Sequence, residues 1–220
     1  RFERGQSVPG VVNAPNLAQA QVPDNKPLAN LCVALGKVAS GLIGCPTSLE
    51  LSTCGAGLEG KAQLLSAAAA IGVLKQLGHN NANWINVSAL AQEAKIQVSH
   101  KHQDSCPFVS GQVCLNVKCG PTSHTLVGSL AGETPFLCTI DGASFVPPQV
   151  LSENVLLAIG PDSPNALVQI VGGLVEGGIS VQSASQCGNG FYILHTGSPV
   201  DTKSRPPVAP LKFWAYVNLK

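Results

Sequence analysis

Eight cysteines in 220 residues constrain this chain more than any motif in it. Cys32, Cys45 and Cys54 fall in the first half, and Cys106, Cys114, Cys119, Cys138 and Cys187 in the second. No two have the Cys-x-x-Cys spacing of a zinc site. An even count then reads first as a disulfide framework, which places the chain outside the reducing cytosol. Three and five are both odd, so if all eight pair within the chain at least one bridge joins the halves. About four bridges are expected, each contributing roughly 2–4 kcal/mol.

Other features agree with a secreted, extracellular protein. The chain begins at Arg1, which reads as processing after a signal peptide. Asn86-Val87-Ser88 is the single N-glycosylation sequon, so Asn86 is expected at the surface and carrying glycan. No run approaches the ~18–20 apolar residues of a membrane span. The net charge of +1 gives no electrostatic case for nucleic acid or an anionic membrane. Charged residues make up 11% of the chain, against about 25% in ordinary globular chains. So neutral a surface offers little like-charge repulsion, and association with itself or with related subunits is expected.

Periodicity divides the chain. Residues 1–26 form a polar, Pro-containing arm with no repeating apolar pattern, expected to be extended. Residues 27–95 read as helical. Asn25 can cap a helix with Pro27 in its first turn, and Leu28, Leu31, Cys32, Leu35, Val38 and Leu42 share one face. A second helix is predicted over Lys61–Leu77, where Ala67 to Ala70 suit close docking on another helix. A short third helix is predicted over Ser88–Lys95. From Ile96 the period falls to two. Eight or nine short strands separated by turns such as Asp141-Gly142 and Gly172-Gly173 then point to an antiparallel sheet over 96–220, with a Pro-rich linker at 196–210. The predicted fold is α+β: an N-terminal helical segment packed on an antiparallel β-sandwich or barrel, with 27–220 one disulfide-stapled domain. The last strand carries Phe213, Trp214 and Tyr216, aromatics on both faces. A strand apolar on both sides is central in its sheet or contacts a partner.

The chemical motifs are weak. Gly55-Ala56-Gly57-Leu58-Glu59-Gly60 matches Gly-x-Gly-x-x-Gly before a helix, but no acidic residue stands ~20 positions on to take a ribose. The following segment also carries the sequon. His100 and His102 lie on one face of a strand and make half a metal site. Ser123 and His124 point to opposite faces, and only folding could bring Asp141, Asp162 or Asp201 to them. No catalytic residue, metal or cofactor is expected. The sequence therefore reads as a non-catalytic secreted glycoprotein with a structural or assembly role, oligomeric. A second reading is an extracellular carrier of an apolar small molecule, a lipid or pigment, in a cavity lined by small aliphatic residues. A carbohydrate-binding module or protease inhibitor comes third.

Overall fold

The fold was analysed in a computed structural model that describes residues 15–103, 111–163, 165–203 and 206–220. The three predicted helices are present. After a short helix α1 (Pro15–Ala20) and a 3₁₀ turn at Pro23–Asn25, α2 runs Lys26–Ile43, α3 runs Ala62–Gln76 and α4 runs Val87–Glu93. The described part of the N-terminal arm is thus helical instead of extended, because α1 packs on α3. Helices α2 and α3 lie in backbone contact: a Cβ built on Gly36 would stand 2.1 Å from the Ala69 carbonyl oxygen.

The sandwich is not there. The segment 27–95, read as helical, contains a strand, β1 (Ser48–Cys54), which lies inside a six-stranded sheet. The other members are β2 (Gln97–Gln103), β3 (Val113–Cys119), β4 (Thr122–Ala131), β5 (Thr134–Ile140) and β6 (Ala143–Val150), in the order β2-β1-β3-β4-β5-β6. β1 and β2 run parallel, joined through α3 and α4, and the remaining pairs are antiparallel. The sheet is therefore mixed. Leu49 and Leu51 of β1 are fully buried, under α3.

A second, antiparallel sheet has the order β10-β7-β9-β8. It is built from β7 (Asn154–Ile159), α5 (Ala166–Glu176), β8 (Val181–Cys187), β9 (Phe191–Thr196) and β10 (Phe213–Asn218). This is the split β-α-β order of ferredoxin-like folds, with a Pro-rich leash in place of the second helix. Residues Leu167–Val171, predicted as a strand, belong to α5. Ala166, Ile170 and Leu174 recur every four residues and are buried. Gly172 and Gly173, read as a turn, sit inside the helix, where each costs about 1 kcal/mol relative to Ala. The leash offsets that cost by packing Val208 over Gly173.

The layers are thus helix on sheet. The second sheet lies between two helical layers. Val155, Leu157, Ile193 and Val217 face the large core containing α2 and α3, and Leu156, Ala158, Tyr192 and Trp214 face a smaller core with α5. This explains the two apolar faces of β10, which is an edge strand and not a central one. Its outward edge is covered from within the chain: the Tyr216 amide donates to Thr202 Oγ1 at 3.3 Å, and its carbonyl accepts from Gln76 Nε2 at 2.9 Å.

The disulfide staple is also overturned. Cys32, Cys45, Cys114, Cys119, Cys138 and Cys187 are free thiols. Cys54 is disulfide-bonded, and Cys106 lies outside the described residues. The framework is unnecessary because the helices and two sheets bury large continuous cores. Cys32 is itself a core residue of α2, its thiol pushed well up by burial.

Candidate functional site

A cleft of about 550 Å³ opens where α2 and α3 meet the chain segment after β10. Three lysines border it. Lys37 is 8% exposed, held inside α2 among apolar neighbours. Its ammonium donates to the carbonyl oxygens of Asn218 and Lys220, each at 2.8 Å. Burial pushes the Lys37 pKa down, and repulsion from Lys75 on α3 adds to the shift. Lys220 stands at the rim and pairs with Glu153 at 3.2 Å. Glu133 is the one acidic side chain in the lining, beside Trp84, Ile71, Leu151 and Leu219. A smaller recess of about 280 Å³ continues past Lys37 and Lys75 to Gln76 and Asn80.

Positive charge here exceeds negative, and two carbonyls already occupy two of the three Lys37 protons. An anionic group entering between Lys37 and Lys75 would relieve their repulsion. The cleft therefore suits a small anion with a short polar body, not the apolar ligand of the carrier reading. Sequence inspection passed over both lysines. A lysine midway along a helix buried on nearly every side was the available signal.

The other predicted residues are scattered. His100 and His102 lie on the exposed edge strand β2, where His102 Nδ1 and Thr53 Oγ1 share a hydrogen bond at 2.9 Å. Among the described residues no group of three His, Cys, Asp or Glu side chains is placed to hold a metal. Asn86 is half-buried before α4, its side-chain amide donating to Asn81 O at 3.0 Å. Trp214 is buried in the smaller core and Tyr216 is half-buried against it, while Phe213 on the same strand is half-exposed.

Folding does bring His124 to Asp141. His124 Nδ1 and Asp141 Oδ2 are 2.8 Å apart, and Asp141 Oδ1 accepts from the Thr125 amide at 2.7 Å. Partial burial raises the Asp141 pKa, but the His124 hydrogen bond, the Thr125 amide and the His124 charge together hold it below the usual carboxylate range. The neighbouring Cys187 thiol is pushed up to about 11, mainly by burial and further by Asp141 and Asp162. A thiol so shifted stays protonated at neutral pH.

The glycine-rich turn at Gly55–Gly60 follows β1 and precedes α3, the local context of a dinucleotide site. The wider topology differs. Dinucleotides bind in the crevice between two parallel strands whose crossovers leave in opposite directions. Here β1 has parallel β2 on one side and antiparallel β3 on the other.

No protein-family model matches the chain. It is 30% identical over 187 residues to the D-3-phosphoglycerate dehydrogenases of Sus scrofa and Homo sapiens, covering 82% of this chain and 35% of each relative. It is 24% identical over 183 residues to that of Methanocaldococcus jannaschii, covering 82% of this chain and 34% of the relative. These relatives are named as enzymes, which overturns the expectation of a non-catalytic structural glycoprotein or apolar carrier. The expectation of secretion falls with it, since it rested on a disulfide framework that the free thiols contradict. No helix is long and apolar enough to cross a membrane, among the described residues. The chain spans about a third of the length of these relatives, and over most of its own length it is similar to D-3-phosphoglycerate dehydrogenases.

Proposed function

We propose that this chain works as part of a D-3-phosphoglycerate dehydrogenase, and that its lysine-bordered cleft receives a small phosphorylated hydroxy acid or a similar anion. The observation that carries the reading is the 30% identity to dehydrogenases of that name across 82% of the chain. In that reaction a hydride would pass from the carbon bearing the substrate hydroxyl to a nicotinamide acceptor while the hydroxyl proton goes to solvent, leaving a ketone. The mixed sheet lacks a parallel-strand crevice for a dinucleotide, so the contribution assigned to this portion is anion binding and not hydride transfer. A compound carrying both phosphate and carboxylate matches the excess positive charge of Lys37 and Lys75, and the Trp84 side offers an apolar wall.

Two measurements test this. The native protein that carries this sequence is assayed for oxidation of D-3-phosphoglycerate with NAD⁺ or NADP⁺; failure with both acceptors overturns the enzymatic reading. Calorimetric titration of the chain with D-3-phosphoglycerate is compared between wild type and K75A. Saturable binding weakened about tenfold or more in K75A is expected, since a charge-assisted hydrogen bond contributes about 1.5–3 kcal/mol. Equal heats in both proteins remove the cleft from the reading.

A further inference from the structure

Cys45 and Cys119 lie 74 residues apart in sequence, with their sulfurs 2.7 Å from each other. That is less than 1 Å beyond the bonded separation of about 2.05 Å, yet both are free thiols. Backbone bonds and not flexible side chains create this approach. α2 ends at Gly44, which has φ +74° and whose amide bonds Ser40 O at 2.8 Å. The Cys45 amide then bonds Ile43 O at 2.9 Å. Two residues later the Thr47 amide and Thr47 Oγ1 both donate to Lys118 O, at 2.7 and 3.1 Å. Lys118 immediately precedes Cys119 and pairs with Ser48 across the β1–β3 ladder. The end of α2 and the end of β3 are thus pinned together two residues from Cys45 and one residue from Cys119. Cys45 is exposed and Cys119 half-exposed, so a small oxidant can reach them.

The geometry points to Cys45 and Cys119 as a reversible thiol–disulfide couple, a modification site that a low-molecular-weight disulfide of the glutathione type oxidises. This differs from the constitutive framework suggested by the cysteine count, because it concerns one surface pair beside Cys32, Cys114, Cys138 and Cys187, which are free thiols. Cys45 is the first nucleophile because it is the more exposed, and the hydrogen bond shared with Cys45 raises the Cys119 pKa. The Cys45 thiolate attacks one sulfur of the small disulfide, forming a mixed disulfide and releasing one thiolate. Cys119 then gives its proton to solvent and attacks Cys45 Sγ, expelling the second thiolate. Two protein thiols lose two electrons and two protons, and one small disulfide becomes two thiols.

The bond would clasp the end of α2 to the β3–β4 turn. α2 touches both sheets: a Cβ on Gly41 would meet Val217 Cγ2 of the second sheet at 2.7 Å, and one on Gly128 of β4 in the first sheet would meet Leu35 Cδ1 at 2.8 Å. Oxidation therefore fixes the helix on which Lys37 stands.

The test uses the full chain, reduced and then equilibrated in glutathione buffers of rising oxidised fraction, acid-quenched and alkylated. Trypsin with a glutamate-specific protease gives peptides 38–50 and 119–133, each holding one of the two cysteines. The expected result is loss of alkylation at both together, a cross-linked 38–50/119–133 peptide two hydrogens lighter than its parts, and full reversal by dithiothreitol. The oxidised wild type should show a raised Tm, and C119S no such response. Cysteines that stay alkylated in fully oxidised buffer, separate glutathione adducts on the two, or cross-links to other cysteines would each overturn the proposal.

Discussion

Gly36 and Gly72 face each other's helix backbone at the α2–α3 crossing. A Cβ on Gly36 would stand 2.1 Å from Ala69 O, and one on Gly72 would stand 2.1 Å from Val33 O. Neither contact can be relieved by a side-chain rotation, because the obstructing atoms are carbonyls. G36A and G72A should each destabilise the chain by about 1–3 kcal/mol, the usual cost of overpacking. One separation of the helices relieves both clashes, so the double variant should lose less than the sum. Urea midpoints of the four proteins check this.

The Asp141–His124 pair predicts an acid-dependent stability difference. The folded Asp141 pKa is depressed, so its contribution is fully present above the unfolded value of about 3.9 and is lost as pH falls through the lower folded value. Asp141 has φ +50° in a tight turn with Gly142, a conformation that Asn also tolerates. D141N should therefore keep the turn. Its deficit against wild type should shrink below about pH 4. A deficit unchanged at pH 2 would refute the assignment.

Ser40 predicts a gain. Its Oγ is buried without a hydrogen-bond partner among the described residues, inside a helix where Ala has the higher propensity. S40A should stabilise the chain by about 1 kcal/mol, read as a higher urea midpoint.

The covered edge of β10 predicts a local effect. T202V removes the acceptor of the Tyr216 amide. Hydrogen exchange at that amide should quicken several-fold, while the amides of the central strand β9 keep their rates. Q76A, which frees the Tyr216 carbonyl, should cost about 1 kcal/mol.

Much of the local structure was legible because each segment carries its own burial pattern. The apolar stripe from Leu28 to Leu42 and the small residues around Ala69 marked α2 and α3, and Asp141-Gly142 marked a hairpin turn. The miss at α5 has a physical cause. The short stretch Leu167–Val171 reads alike as strand or helix, and the paired glycines tipped the reading toward a turn. What holds α5 helical is the leash over Gly173, some 35 residues further along.

Sequence alone determined where α2, α3 and α4 lie and how few charges the chain carries. Those properties follow from periodicity and composition, which each stretch carries without its neighbours. Tertiary structure decided the rest. The mixed sheet exists because Leu49 sits between Val98 and Val117, partners about 50 and 70 residues away. Lys37 and Lys75 converge because two helices cross, and Cys45 meets Cys119 because Thr47 is tied to Lys118. Eight cysteines stated how many sulfurs there were; only the fold decided that most stay free and which two stand within reach of each other.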